Sequence, residues 1–118
     1  MEKLEDFRQL TVWQKSHNLV LKIYQITTTF PAEERFGLIS QMRRAAVSVP
    51  ANIAEGFKKR GRKDKVNFYN IAQGSLAELR YYLILSKDLE YIADYSELWM
   101  LSDEIGKMLN GLIASVEH

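Results

Sequence analysis

The strongest constraint on this chain is a run of apolar residues at helical spacing in its second half. Val66, Tyr69, Ala72, Leu76, Leu79, Leu83 and Ser86 recur at intervals of three and four, the repeat that places side chains on one stripe of an α-helix. A second stripe lies beside it: Phe68, Ile71, Ser75, Tyr82, Leu85 and Leu89. The pattern predicts a helix from residue 65 to about residue 89, with Asp64 as its N-cap, roughly 37 Å long at 1.5 Å per residue. Gly74 in its interior costs about 1 kcal/mol relative to alanine, which predicts close approach of another helix at Gly74 and Ser75. A helix of this length with two apolar stripes needs other helices to cover it.

The rest of the chain supplies them. Thr11 and Gln14 make a capping-box pattern that starts a first helix near Val12. Leu10, Trp13, His17, Val20, Tyr24 and Thr27 form one stripe on it, and Val12, Leu19, Ile23 and Ile26 a second, so it is expected to be buried on more than one side. Three consecutive threonines and Phe30-Pro31 end it. Pro31 opens a short helical turn in which Glu33 and Glu34 suit the N-terminal end, and Gly37 permits a bend. A second long helix then carries Leu38, Met42, Ala45, Val49, Ile53 and Phe57.

That second helix contains Pro50, which donates no backbone hydrogen bond and clashes with the carbonyl of Ala46. The interruption costs about 3 kcal/mol unless neighbours hold a bent form, so a kink is expected. Ala45, Ala46, Ser48, Ala51, Ala54 and Gly56 keep the surface around it low, as close packing requires. Asp94 and Glu97 make a second capping box before a fourth stripe of Leu98, Leu101, Ile105, Met108, Leu112 and Val116. Gly106 and Gly111 suggest tight packing there. The expected architecture is all-α: an antiparallel up-and-down four-helix bundle, helix two kinked at Pro50, in a single domain spanning residues 1–118.

Catalytic and metal chemistry find little support. With no cysteine, disulfide frameworks, thiolate zinc sites and cysteine nucleophiles are excluded. His17 sits on an apolar stripe and reads as a hydrogen-bonded core histidine, while His118 is terminal. No two histidines share a helix face and no Glu-x-x-His occurs, so no bundle metal site is expected. Ser48 and Ser75 have no histidine partner and read as packing residues. Gly56, Gly61 and Gly74 match no phosphate-cradling loop. No catalytic residue, metal or cofactor is therefore expected, and the chain reads as a non-enzyme. Its apolar runs are too short to span a bilayer and its charged start is no signal peptide, which makes the cytoplasm the expected compartment and a membrane partner unexpected.

Charge is more informative. The formal net charge is +1, but residues 42–65 carry eight bases and two acids, a net +6, and the remainder carries −5. Arg43, Arg44, Lys58, Lys59, Arg60, Arg62, Lys63 and Lys65 are the candidate nucleic-acid contacts, because each can meet a phosphate. Two plainer readings stand beside this: a solvated loop at residues 58–65, and pairing of Arg43 or Arg44 with Glu78. Phe57 and Tyr69 offer stacking faces, though burial suits both better. Asn52, Glu55, Ser75 and Glu78 could form a structural polar layer where helices two and three cross, with Asn52 taking up backbone groups that Pro50 leaves free. The two apolar stripes on helices one and three exceed what one bundle needs, which predicts self-association.

Three stretches also carry a resemblance: FRQLTVWQKSHNLVLKIYQITTTFP, FGLISQMRRAAVSVPANIAEGFKKR and FYNIAQGSLAELRYYL. Together they resemble the proteins encoded in intervening sequences of bacterial 23S rRNA genes, the S23-type four-helix-bundle proteins. The likeness covers roughly residues 7–92, and the SQxRRAAxSxPxNIAEG run is its most specific part. It implies a left-handed four-helix bundle assembled as a ring-shaped homopentamer with a suspected association with RNA. A more distant likeness is to the accessory protein of diversity-generating retroelements, whose basic pentameric barrel binds nucleic acid and a reverse transcriptase. The expected function is a non-enzymatic oligomer that binds RNA or DNA through the basic helix 2–3 junction. The alternative is an interaction adaptor that presents an acidic surface to a basic protein partner.

Overall fold

In the computed structural model, which describes residues 4–117, four helices account for most of the chain. They are α1 (Thr11–Thr27), α2 (Leu38–Lys58), α3 (Arg62–Asp88) and α4 (Ser96–Glu117). Two short 3-10 turns, Phe7–Gln9 and Ala32–Glu34, precede α1 and α2. No strand occurs among the described residues, so the all-α reading holds. His118 lies outside them.

Each helix packs against its neighbour in sequence, and α1 also packs against α4, which closes the bundle. Cross-helix contacts run in opposite numerical order along each pair. Lys15 reaches Glu104 at 3.0 Å and Lys22 reaches Glu97 at 2.8 Å across α1 and α4. Gln73 bonds Asn110 and Arg80 approaches Asp103 across α3 and α4. Most of the α2 stripe and of the first α3 stripe become core, as do Leu98 and Ile105 of the α4 stripe, while the second α3 stripe is half-buried or exposed. Leu38, Met42, Ala45, Val49 and Ile53 of α2 face Tyr69, Ala72, Leu76, Leu79, Leu83 and Ser86 of α3, with Leu19 and Ile23 of α1 and Ile105 and Leu109 of α4 completing it. Burying each such large side chain contributes about 1.5–3 kcal/mol.

Helix starts differ from the sequence expectations. α3 begins at Arg62 with Gly61 as an extended N-cap, so Asp64 lies in its first turn and is not the cap. α1 has Leu10 at its N-cap with no side-chain bond, and Gln14 Nε2 donates to the Arg8 carbonyl at 2.8 Å instead. The capping box lies one turn earlier. Asp6 Oδ1 accepts from the Arg8 N–H at 2.8 Å, and Gln9 Oε1 accepts from the Asp6 N–H at 3.0 Å. At α4, Asp94 accepts from the Ser96 N–H and hydroxyl, but Glu97 turns outward to Lys22 and does not return to the cap.

Two further expectations fail. His17 is exposed, its ring stacked on Trp13 with centroids 5.2 Å apart, and is no core histidine. Both stripes of α1 supply buried residues, Val12, Leu19 and Ile23 from one and Val20 and Thr27 from the other, with Trp13 partly buried against the core, while His17 and Tyr24 are exposed. Of the close approach expected at Gly74 and Ser75, Ser75 meets Ser48 of α2 with their hydroxyl oxygens 2.7 Å apart, but the glycine pressed against another helix is Gly56. A β-carbon on Gly56 would meet Tyr69 Cε1 at 2.5 Å, whereas nothing lies within 4 Å of one on Gly74 or Gly111.

Candidate nucleic-acid interface

The eight predicted basic residues do not form one patch. α2 separates them into two groups: Arg44 and Lys58 are on the same helix, roughly 21 Å apart at 1.5 Å per residue. Six of the eight lie at the α2–α3 junction, where only Lys59, Arg60 and Gly61 connect the helices.

Within the junction the six cations divide again. Lys58, Arg60, Arg62 and Lys63 are exposed, and none belongs to an ion pair among the described residues. Lys59 lays its ammonium 5.2 Å from the Phe68 ring centroid and is half-buried. Lys65 turns inward. Its ammonium donates to the Phe57 carbonyl at 2.8 Å and the Gly56 carbonyl at 3.2 Å, satisfying groups that the end of α2 leaves free. Desolvation lowers the pKa of Lys65 from the ordinary lysine value. The α3 N-terminus beside them carries no side-chain cap, so its free N–H groups and positive dipole end add to the local attraction for an anion.

The second group sits at the other end of α2. Arg43 is committed to α1. Its Nε donates to Thr27 Oγ1 at 2.9 Å, its Nη2 to the Tyr24 carbonyl at 3.3 Å, and its guanidinium lies 4.5 Å from the Tyr24 ring centroid. Arg44 is exposed. Neither forms an ion pair with Glu78, so that pairing is not made. Both line an open groove of about 660 Å³ with Tyr24, Arg35 and Phe36. Phe36 is 88 % exposed, the most exposed of the large hydrophobic side chains. The sequence reading missed Arg35 and Phe36. The available signal was an Arg-Phe pair before Gly37 that belongs to no helical stripe.

The proposed polar layer is only half present. Ser48 Oγ and Ser75 Oγ lie 2.7 Å apart between α2 and α3, and Asn52 Nδ2 donates to the Ser48 carbonyl at 2.7 Å and to Ser48 Oγ at 3.0 Å. Glu55 and Glu78 are exposed and outside this seam. Asn52 thus serves Ser48, not the Ala46 carbonyl that lacks its helical donor because of Pro50. Tyr69 is fully buried and Phe57 half-buried, so neither presents an open stacking face.

Outside these sites, the α1–α2 surface holds an apolar groove of about 390 Å³ lined by Phe7, Trp13, His17, Val20, Val47 and Pro50 among others. Ile71, Tyr81 and Ile84 of α3 are also exposed, but not on one face, since at about 100° per residue Ile71 and Ile84 lie about 140° apart around the helix. No group of three or more His, Cys, Asp or Glu residues among the described residues could hold a metal ion. No described helix is long and apolar enough to cross a membrane.

Comparison with known proteins accounts for the SxPxNIAEG helix and its partner α3. A sequence model for the 23S rRNA-intervening sequence protein matches residues 8–111. The chain belongs to that family. Its fold is also similar to a crystal structure of an S23 ribosomal protein family member of unknown function from Bacteroides thetaiotaomicron. The two share 30 % identity with a TM-score of 0.78 over 87 % of this chain and 98 % of the other. No curated protein matches the chain. The family match takes in both basic groups and most of the helical core, while the neighbouring structure carries no assigned activity.

Proposed function

We propose that this family member is a non-enzymatic, self-associating protein that binds nucleic acid, RNA foremost, through the α2–α3 junction. The observation that carries the reading is the set of exposed, unpaired cations Lys58, Arg60, Arg62 and Lys63 around the uncapped start of α3. Such groups neutralise phosphates with little sequence preference. Lys59 joins them from the edge. Lys65 and Arg43 hold helix ends, so their contribution to phosphate contact is indirect.

Self-association rests on exposed apolar surface in two places, the α1–α2 groove and the separate side chains Ile71, Tyr81 and Ile84 on α3. A ring repeats one heterologous contact and so needs two different patches on each subunit. The number five rests on the family likeness. Light scattering tests it: because assembly depends on protomer concentration, a species that stays at 13.7 kDa up to ~50 μM removes the ring. An adaptor with an acidic face is less well supported, because Glu97, Asp103 and Glu104 are already engaged by lysines.

Binding is tested by its salt dependence. With about five phosphates neutralised per site, log affinity for single-stranded RNA should fall against log salt with a slope near −3.5, at ~0.7 per phosphate. Serine at Lys58, Lys59, Arg60, Arg62 and Lys63 should flatten that slope with the helical content unchanged. An unchanged slope overturns the assignment of the junction. No retention of RNA by the native protein at ~50 mM salt overturns nucleic-acid binding altogether.

A further inference from the structure

The groove at the N-terminal end of α2 combines features that nothing in the basic junction has. Its rim carries Arg35, Arg43 and Arg44, its wall is Tyr24, and Phe36 stands over it in the turn before α2. No carboxylate lines it. Glu34, the acid nearest in sequence, is turned away: it accepts the Tyr91 hydroxyl at 2.8 Å and the Leu38 N–H at 3.3 Å. Gly37 leaves room for the Glu34 carboxylate, whose Oε1 would lie 2.9 Å from a β-carbon there. The turn that presents Phe36 is therefore tied to Tyr91 beyond α3 and is a built element.

The charges and rings are also arranged together. Arg43 stacks on Tyr24 at 4.5 Å and Arg35 lies 5.9 Å from the Phe36 ring centroid. Ser40 adds a half-buried side chain to the lining. Exposed aromatic faces beside guanidinium groups are what holds an unpaired base and its phosphate: the ring stacks on the base, and the cation meets the backbone. A duplex keeps its bases stacked inside and offers such a ring nothing.

We infer that this groove is a stacking site for an unpaired nucleotide of single-stranded nucleic acid, with Phe36 and Tyr24 facing the base and Arg35 and Arg44 facing phosphate. The inference deepens the nucleic-acid reading above and rests on it for the class of ligand, but it uses different residues at the opposite end of α2. It adds a preference that the junction alone lacks. The junction should hold any phosphate backbone, whereas the groove should favour strands with free bases.

The probes are a short oligouridine and a blunt RNA duplex, measured by fluorescence anisotropy against the native protein and three variants. Phe36→Ala should weaken oligouridine binding about tenfold, the usual scale for loss of one stacked base, and leave the duplex unaffected. Phe36→Trp should keep the native affinity, and its added indole should be quenched by oligouridine and not by duplex. The five-serine junction variant combined with Phe36→Trp should still show that quenching at raised RNA concentration, which separates the groove from the junction. Equal loss for both RNAs, no loss for either, or absence of quenching overturns the stacking site even if the junction's salt slope stands. A fall in oligomer mass for Phe36→Ala by light scattering would make the groove a contact between copies and likewise overturn it.

Discussion

The two ends of α2 carry the same kind of charge in different settings. At the C-terminal end, Lys58, Arg60, Arg62 and Lys63 extend into solvent from a three-residue connection, with no aromatic surface open beside them. At the N-terminal end, Arg35, Arg43 and Arg44 surround Tyr24 and the almost fully exposed Phe36. Each end also turns one cation inward onto helix carbonyls: Lys65 onto Gly56 and Phe57 at one, Arg43 onto Tyr24 at the other. A count of bases along the chain therefore overstates the charge free to meet phosphate. Charge alone gives adhesion, and charge beside an open ring gives selection between paired and unpaired strands.

The largest expected effect comes from loosening the framework on which the C-terminal end rests. Gly56→Ala drives a methyl group into the buried Tyr69 ring and should cost about 1–3 kcal/mol, as overpacking does. Gly74→Ala, where the space is open, should instead stabilise by about 0.5–1 kcal/mol through helix propensity. Urea denaturation of both variants measures the contrast. A destabilised Gly74→Ala with lowered oligomer mass would place another copy against the outer face of α3. A neutral Gly56→Ala would mean that Tyr69 can move aside.

A smaller effect separates the inward and outward cations at the N-terminal end. Arg43→Ala removes two hydrogen bonds to α1 and a contact with the Tyr24 ring, a loss of about 1–2 kcal/mol. Arg44→Ala touches no such partner and should stay within about 0.5 kcal/mol of the native protein. Equal stabilities for the two variants would remove the distinction between structural and free cations.

The smallest effect is a local pH response. Hydrogen bonds from the Arg8 side chain and backbone hold the Asp6 carboxyl at about 2, below its ordinary 3.8. A depressed carboxylate contributes stability that is present above the unfolded value and lost as pH falls through the folded one. The Phe7–Gln9 turn should therefore loosen as pH drops from near 3.8 to about 2, seen as movement of the Arg8 amide signal by NMR while core amides stay in place. An Arg8 signal that shifts only together with the core would show that this turn has no separate response.

The sequence was sufficient for the helices and for the α2 stripe that becomes core, and it marked the α3 core stripe as one of two, because a period of three and four is a local property of the chain. Met42, Val49, Ile53, Leu76, Leu79 and Leu83 are all buried where that spacing puts them. It was also sufficient for the basic character of the α2–α3 junction. The tertiary structure decided the rest. Which members of α1's two stripes are buried depends on how the helix is rotated toward α2 and α4, and rotation is set by packing partners distant in sequence: Val20 and Thr27 are buried, His17 and Tyr24 are not. Spacing therefore misplaced His17 in the core. Whether a glycine marks a close contact depends on what lies opposite it, so Gly56 and Gly74 read alike in the chain and differ in space. Which cations are free depends on nearby carbonyls: Lys65 and Lys63 are two residues apart, yet one closes α2 and the other points to solvent. The groove around Phe36 needs Tyr24 from α1 and Arg44 from α2, and only the packed pair of helices brings them to one place.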